Sequence, residues 1–221
     1  MKKYLSLFIS AISGLLFVIL IFLVRCVDYS YVGPQNSRIG LSTINLRIFE
    51  KIGVNYFWYN LTDYLGFLAV LTVCVYAIIG LIQLIKRKSL LKVDNCILLL
   101  GVLYIISLIL YFLFEKIVVN YRPIILKDST KLEASFPSSH TMMIIVVLGS
   151  SFLTIKRYHK INILRIVIQL INVLTIIVTI IGRLLSGAHW FTDILGGILL
   201  GTFLITFYNF ILNRIELNYL S

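Results

Sequence analysis

Charge is what this chain of 221 residues has least of: 13% of its residues are Asp, Glu, Lys or Arg, against 60% that are hydrophobic. A soluble domain carries about 25% charged residues, so a water-soluble fold is excluded and the chain reads as an integral membrane protein. The mean hydropathy of +1.00 agrees. Patterned cysteine is missing too. Cys26, Cys74 and Cys96 are scattered, two of them in or beside apolar runs, which excludes a disulfide framework and a thiolate metal site. There is no internal repeat, no low-complexity tract and no clear small-residue cleavage site after the first apolar run. Lys2 and Lys3 with that run therefore read as a retained signal anchor. Acidic residues are scarce, 9 against 20 basic, for a net charge of +11. Such an excess can signal nucleic acid. Here the basic residues crowd into short loops between apolar runs, where they orient the chain in a bilayer, so no nucleic-acid partner is expected.

What is present is a series of apolar runs long enough to cross a hydrocarbon core of about 30 Å. They predict a single all-α domain over residues 1–221, a six-helix membrane bundle with spans near 5–24, 65–86, 96–114, 141–155, 161–181 and 194–212. Between the first two spans, Leu41, Ile44, Ile48 and Ile52 follow helical spacing, with Arg47, Glu50 and Lys51 off that stripe. This predicts a short helix lying on the bilayer surface. Tyr56, Trp58 and Tyr59 read as interfacial aromatics, and Asn60-Leu61-Thr62 fits a glycosylation acceptor of the kind that mostly occurs by chance. Lys86, Arg87, Lys88, Lys92, Lys156, Arg157 and Lys160 place both termini in the cytoplasm by the positive-inside rule. The polar segments 115–140 and 182–193 then share the extracytoplasmic face of a multi-pass cell-membrane protein.

Those segments hold the chemistry-bearing residues. His189 and Asp193 stand four apart and share a face if helical. A carboxylate there can hold one imidazole nitrogen and leave the other nucleophilic. Arg183, before a Ser-Gly turn, can approach from the loop side, and a guanidinium beside an oriented imidazole suits attack on a phosphoryl group. Upstream, Arg122-Pro123 closes the third span and Phe136-Pro137-Ser138-Ser139-His140 opens the fourth. A helix N-terminus binds anions. Pro137 suits a helix start, Ser138 and Ser139 can cap it or donate to a phosphate oxygen, and His140 can protonate a leaving oxygen. No His, Cys or carboxylate set has metal-ligand spacing, so no metal and no cofactor are expected. In the fifth span, Arg165, Gln169 and Asn172 form a polar stripe, read either as a transport path or as interhelical hydrogen bonding with Arg165 snorkelling. Gly197 and Gly201 read as a close helix contact.

Over roughly residues 65–212 these motifs resemble the type-2 phosphatidic acid phosphatases, the membrane branch of the lipid phosphatase and vanadium haloperoxidase superfamily. That family carries Lys-x6-Arg-Pro, then Pro-Ser-Gly-His, then Ser-Arg-x5-His-x3-Asp. Here the second appears as Pro137-Ser138-Ser139-His140, and the third as Arg183, His189 and Asp193 at the family spacing. The resemblance implies metal-independent hydrolysis of a lipid phosphate or pyrophosphate. His189 would form a phosphohistidine, Asp193 would hold its tautomer, Arg122 and Arg183 would clamp the phosphoryl oxygens, and His140 would serve as general acid. Gly182 stands where the motif has serine, Ser139 where it has glycine, and Glu115 where it has lysine. Lys116 comes one residue later, about 100° round the helix, and is expected to swing in as a phosphate ligand unless Glu115 braces an arginine. With the site outside, an undecaprenyl-type polyprenyl pyrophosphate is the expected substrate, and phosphatidylglycerol phosphate and phosphatidic acid are the alternatives. The loop 124–136, with Lys127, Asp128, Lys131 and Glu133, is the expected place for head-group choice. A lipid transporter and an inactive lipid-binding relative are the readings of another class.

Overall fold

Of the seven α-helices among the described residues, the fifth organises the rest. The structure, a computed structural model, describes residues 2–126, 129–158 and 161–218. The helices are α1 (Lys2–Cys26), α2 (Ser42–Ile52), α3 (Tyr56–Arg87), α4 (Asn95–Lys116), α5 (Ser139–Tyr158), α6 (Ile163–Leu185) and α7 (Phe191–Asn218). All but α2 are long and apolar enough to cross a membrane. In α5 the most apolar stretch is 61% buried, while the other five spans reach only 11–39%. Thus α5 is the bundle's centre and the others turn one face outward. Phe8, Leu15, Phe67, Leu71, Ile78, Ile109 and Leu164 make up part of that exposed apolar surface, the arrangement of a multi-pass membrane protein whose solvent is lipid. No strand forms among the described residues, only the isolated bridges Ser30–Ile39 and Tyr121–Ala134.

Small residues bring α5 and α7 together. A Cβ on Gly197 would sit 2.7 Å from the Ser138 carbonyl, and one on Gly201 3.0 Å from Ile145, so the expected small-residue contact is there. Side-chain hydrogen bonds join the other helices. Tyr104 meets Ser150 at 3.2 Å, Tyr76 meets Ser151 at 3.3 Å, and Thr154 meets Tyr208 at 2.9 Å. The fifth-span stripe belongs to this set. Gln169 donates to the Phe152 carbonyl and Asn172 to Ser151, so these two side chains are interhelical ties.

Two boundaries depart from expectation. α3 begins at Tyr56, nine residues before the apolar run, because Asn60, Thr62 and Asp63 interrupt the hydropathy without interrupting the helix. Thr62 is fully buried and donates to the Trp58 and Tyr59 carbonyls, so the Asn60 triplet lies within a packed helix. α2 forms over the expected residues, but Ser42 and Asn45, not the apolar stripe, are its buried positions. Asp28 caps it, accepting from the Thr43 N–H (2.9 Å) and both hydroxyls of Ser42 and Thr43.

Candidate functional site

The end of α6, the turn behind it and the start of α7 form one wall of the site. α6 runs through Arg183 to Leu185, so Arg183 stands inside a helix and not on the loop expected from the Ser-Gly turn. Gly182 beside it has a packing reason: a Cβ there would meet Thr62 at 2.6 Å and the Trp58 ring at 3.1 Å, so α3 fills the space a serine would need. Gly187 takes φ +66° in the turn, against Gly53. α7 begins only at Phe191, so His189 precedes the helix while Asp193 lies in its first turn.

His189 is held on both sides. Its Nδ1 faces the Ser135 carbonyl at 3.2 Å, an acceptor only, so Nδ1 carries the hydrogen and Nε2 keeps its lone pair. The Arg122 Nη1 donates toward Nε2 at 3.1 Å and toward the Ala188 carbonyl at 3.2 Å. The expected Asp193 partnership is looser than its spacing suggested. Oδ2 stands 3.6 Å from Nδ1, beyond a hydrogen bond, and accepts instead from the Trp190 N–H at 2.9 Å. The Ser135 carbonyl fixes the tautomer, and Asp193 caps α7. Burial, then the guanidiniums of Arg122 and Arg183 and the His140 ring, hold the His189 imidazole well below the ordinary histidine range.

The opposite wall comes from the connection between α4 and α5. Its two arms pair, with the Arg122 N–H donating to the Glu133 carbonyl (3.1 Å) and the Ser135 N–H to the Asn120 carbonyl (2.9 Å). That pairing sets Arg122 opposite Glu133, whose carboxylate accepts from Nε at 3.1 Å. α5 starts at Ser139. Ser138 sits before it, fully buried, with its hydroxyl accepting from Thr141. Ser138 therefore caps the helix and borders neither cavity at the site, whereas Ser139 and His140 do. Ser139 is free of positive φ, so replacing the motif glycine carries no backbone strain.

Lys116 does not swing in. α4 stays regular through its last turn, so the angular offset remains; Lys116 is exposed and borders neither cavity, while Glu115 borders both. Lys127 and Asp128 lie outside the described residues; Lys131 and Glu133 are on the wall of the larger cavity. That cavity, of about 1140 Å³, runs from Arg122, His140 and Asp63 down between α3 and α4 to Cys74, Tyr104 and Val147.

Several residues at the site lie outside the sequence motifs. Asp63, on α3, accepts from Arg183 and from His140 Nε2, the latter at 3.2 Å. Arg183 lies 5.1 Å from the Tyr59 ring centroid. Asn45, on α2, donates to the Thr192 hydroxyl (2.9 Å) and accepts from the Thr192 N–H (3.2 Å), capping α7 from a distant part of the chain. The one available hint for Asp63 was a lone carboxylate at the edge of an apolar run, which marks function more often than packing.

No curated protein matches this chain. The crystal structure of a transmembrane PAP2-type phosphatidylglycerolphosphate phosphatase from Bacillus subtilis is similar to it, with a TM-score of 0.67 and 18% sequence identity over 93% of this chain and 96% of that one. At that identity the likeness shows the fold. Residues 96–216 match the sequence model of the PAP2 superfamily, more than half of the chain, and the chain belongs to that family.

Proposed function

We propose that this protein is a membrane lipid phosphatase that works through a phosphohistidine on His189. One observation carries the reading: an imidazole whose Nδ1 hydrogen is fixed by a carbonyl presents Nε2 to the Arg122 guanidinium, and Arg122 borders a cavity that descends between two membrane helices. In the proposed reaction the Nε2 lone pair forms a bond to phosphorus while the ester P–O bond breaks. His140 passes a proton to the leaving oxygen. Arg122 turns from its present partners to the phosphoryl oxygens, and Arg183, held by Asp63, offers its remaining N–H groups to them. Water then attacks phosphorus, His140 takes back a proton, the N–P bond breaks and phosphate leaves. The lower cavity, bordered by Phe67, Val70, Val73 and Val147, suits an acyl or isoprenoid tail.

On this reading the site faces away from the cytoplasm. It sits at the bundle end opposite the basic turn from Lys86 to Lys92, which supports cytoplasmic termini. A polyprenyl pyrophosphate remains one candidate, supported by that topology and by Lys131 on the wall. A second reading, a lipid phosphomonoester such as phosphatidylglycerol phosphate or phosphatidic acid, draws on a specific feature. Glu115 and Glu133 border the cavity beside Arg122, which leaves little positive charge for a second phosphate. The similar Bacillus subtilis structure is named for phosphatidylglycerolphosphate.

The test is phosphate release from the three lipids in one detergent, with and without a chelator, together with a search for acid-labile protein-bound phosphate. Release that survives chelation and leaves phosphate on His189 is expected. No release from any lipid phosphate rejects the reading.

A further inference from the structure

We propose that Asp63 is a positioning residue for the leaving-group side of the site, holding His140 as the proton donor with a carboxylate that Arg183 anchors in place. Asp63 lies outside the motifs and outside residues 96–216. His140 opens α5 and Arg183 closes α6, and α3 brings Asp63 to both. Its Oδ1 accepts from Arg183 and, at 3.2 Å, from His140 Nε2. Among the described residues it is the sole hydrogen-bond acceptor of the Arg183 side chain, whose buried Nε has none.

A carboxylate on one nitrogen of an imidazole orients the ring and favours its charged form, as it does wherever a histidine works as acid and base. With Nε2 tied to Asp63, Nδ1 is the nitrogen left to exchange the proton. When the ester P–O bond breaks, the Nδ1 proton goes to the departing oxygen and the ring becomes neutral. When water attacks, Nδ1 takes a proton from it and the ring is charged again. Asp63 keeps its own charge throughout and touches neither phosphorus nor the leaving group.

This proposal rests on the phosphatase reading, and leaving-group chemistry separates the two. An alkoxide needs a proton in the transition state; a nitrophenolate does not. The substrates are dodecyl phosphate and a dodecyl-substituted nitrophenyl phosphate. Asp63→Asn keeps the shape and removes the charge. It is expected to lower kcat on dodecyl phosphate about 10–100-fold, a part of the about 10²–10⁴-fold that general acid catalysis supplies, to lower it less than about threefold on the nitrophenyl ester, and to move KM little. His140→Gln should show the same selectivity, and the double variant should lose no more than His140→Gln alone. Equal losses on both esters, additive losses in the double variant, or a fall in KM at unchanged kcat would overturn the proposal. The last of these would make Asp63 a competitor of phosphate for Arg183. Parent protein inert on both esters would instead take down the phosphatase reading, and this proposal with it.

Discussion

Two walls face each other across the site, and they are built differently. On the α6–α7 wall, Arg183, His189 and Asp193 are 1%, 3% and 0% exposed. Their partners are backbone groups and side chains at fixed distances. On the facing side, Glu133, Asp63 and His140 keep 42%, 37% and 38% of their side chains open to the cavity. Of their pairings, the one between Glu133 and Arg122 joins charged side chains that a phosphate can displace. A buried wall acts through geometry set in advance, whereas an open wall can re-pair around a substrate. The first suits bond making at phosphorus, and the second suits recognition and proton delivery.

The sharpest way to break that contrast is on the buried wall. His189→Ala should reduce phosphate release by about 10⁴-fold or more, read on purified protein against the parent. Asp193→Asn should cost less, about 10²-fold, since the Ser135 carbonyl still fixes the ring. If Asp193→Asn matched His189→Ala, Asp193 would be the true orienting partner. A comparable loss from an open-wall residue such as Glu133 would erase the distinction between the walls.

Asn45→Ala tests whether the buried wall depends on its support from α2. It leaves the Thr192 N–H and the Gly40 carbonyl without their side-chain partner, so chemical denaturation should show about 2–3 kcal/mol lost, with kcat falling alongside. Unchanged stability would mean that α7 holds its start unaided.

Smaller effects are expected on the open wall. Glu115→Gln removes a negative charge from a wet cavity and should lower KM for a lipid phosphate about two- to fivefold, in line with about 0.5–1 kcal/mol for such a charge. Lys116→Ala should leave KM unchanged, because Lys116 borders no part of the cavity. The reverse outcome would restore Lys116 as the phosphate ligand.

The smallest effect is an absence of change with pH. Because His189 is held well below the ordinary histidine range by burial and by Arg122, it stays neutral and reactive as pH falls through about 6.5. The acid limb set by His189 in kcat/KM should therefore begin clearly below that value. The unfolded chain does take up the proton near 6.5, so in the same window it binds more protons than the folded one and stability falls as pH drops. An acid limb that moves to 6.5 only in Arg122→Gln would identify the guanidinium as one source of the effect.

The spans were legible because about twenty apolar residues in a row have few alternatives to crossing a bilayer. His189, Asp193, Arg183, Arg122 and His140 stand out in the sequence as candidates, by residue type at set spacings. The roles of neighbours were less so. The Asp193 spacing implied a direct bond to His189, yet a carbonyl 54 residues away takes that place. Asp63 and Asn45 have no spacing relation to the motifs, since only the packing of α3 and α2 brings them in. The start of α3 was misplaced for the same reason: Thr62 and Asp63 look like loop residues until α5 and α6 supply their surroundings. Lys116 stays away from the cavity because α4 keeps its helical angle to the end.

Ser10 of α1 donates to the carbonyl of Phe203 on α7, across 193 positions of chain, and Asn209 donates to Ser6. During synthesis α1 enters the membrane first and α7 last. Until α7 arrives, those serines have only their own helix to bond, and Asn45 has no Thr192 to cap. The bundle is thus closed by its final segment joining its first. A ribosome that stops short of α7 leaves behind five inserted spans, an open seam along α1 and no His189 wall, a product that membrane quality control can tell from the finished protein by its unpaired face.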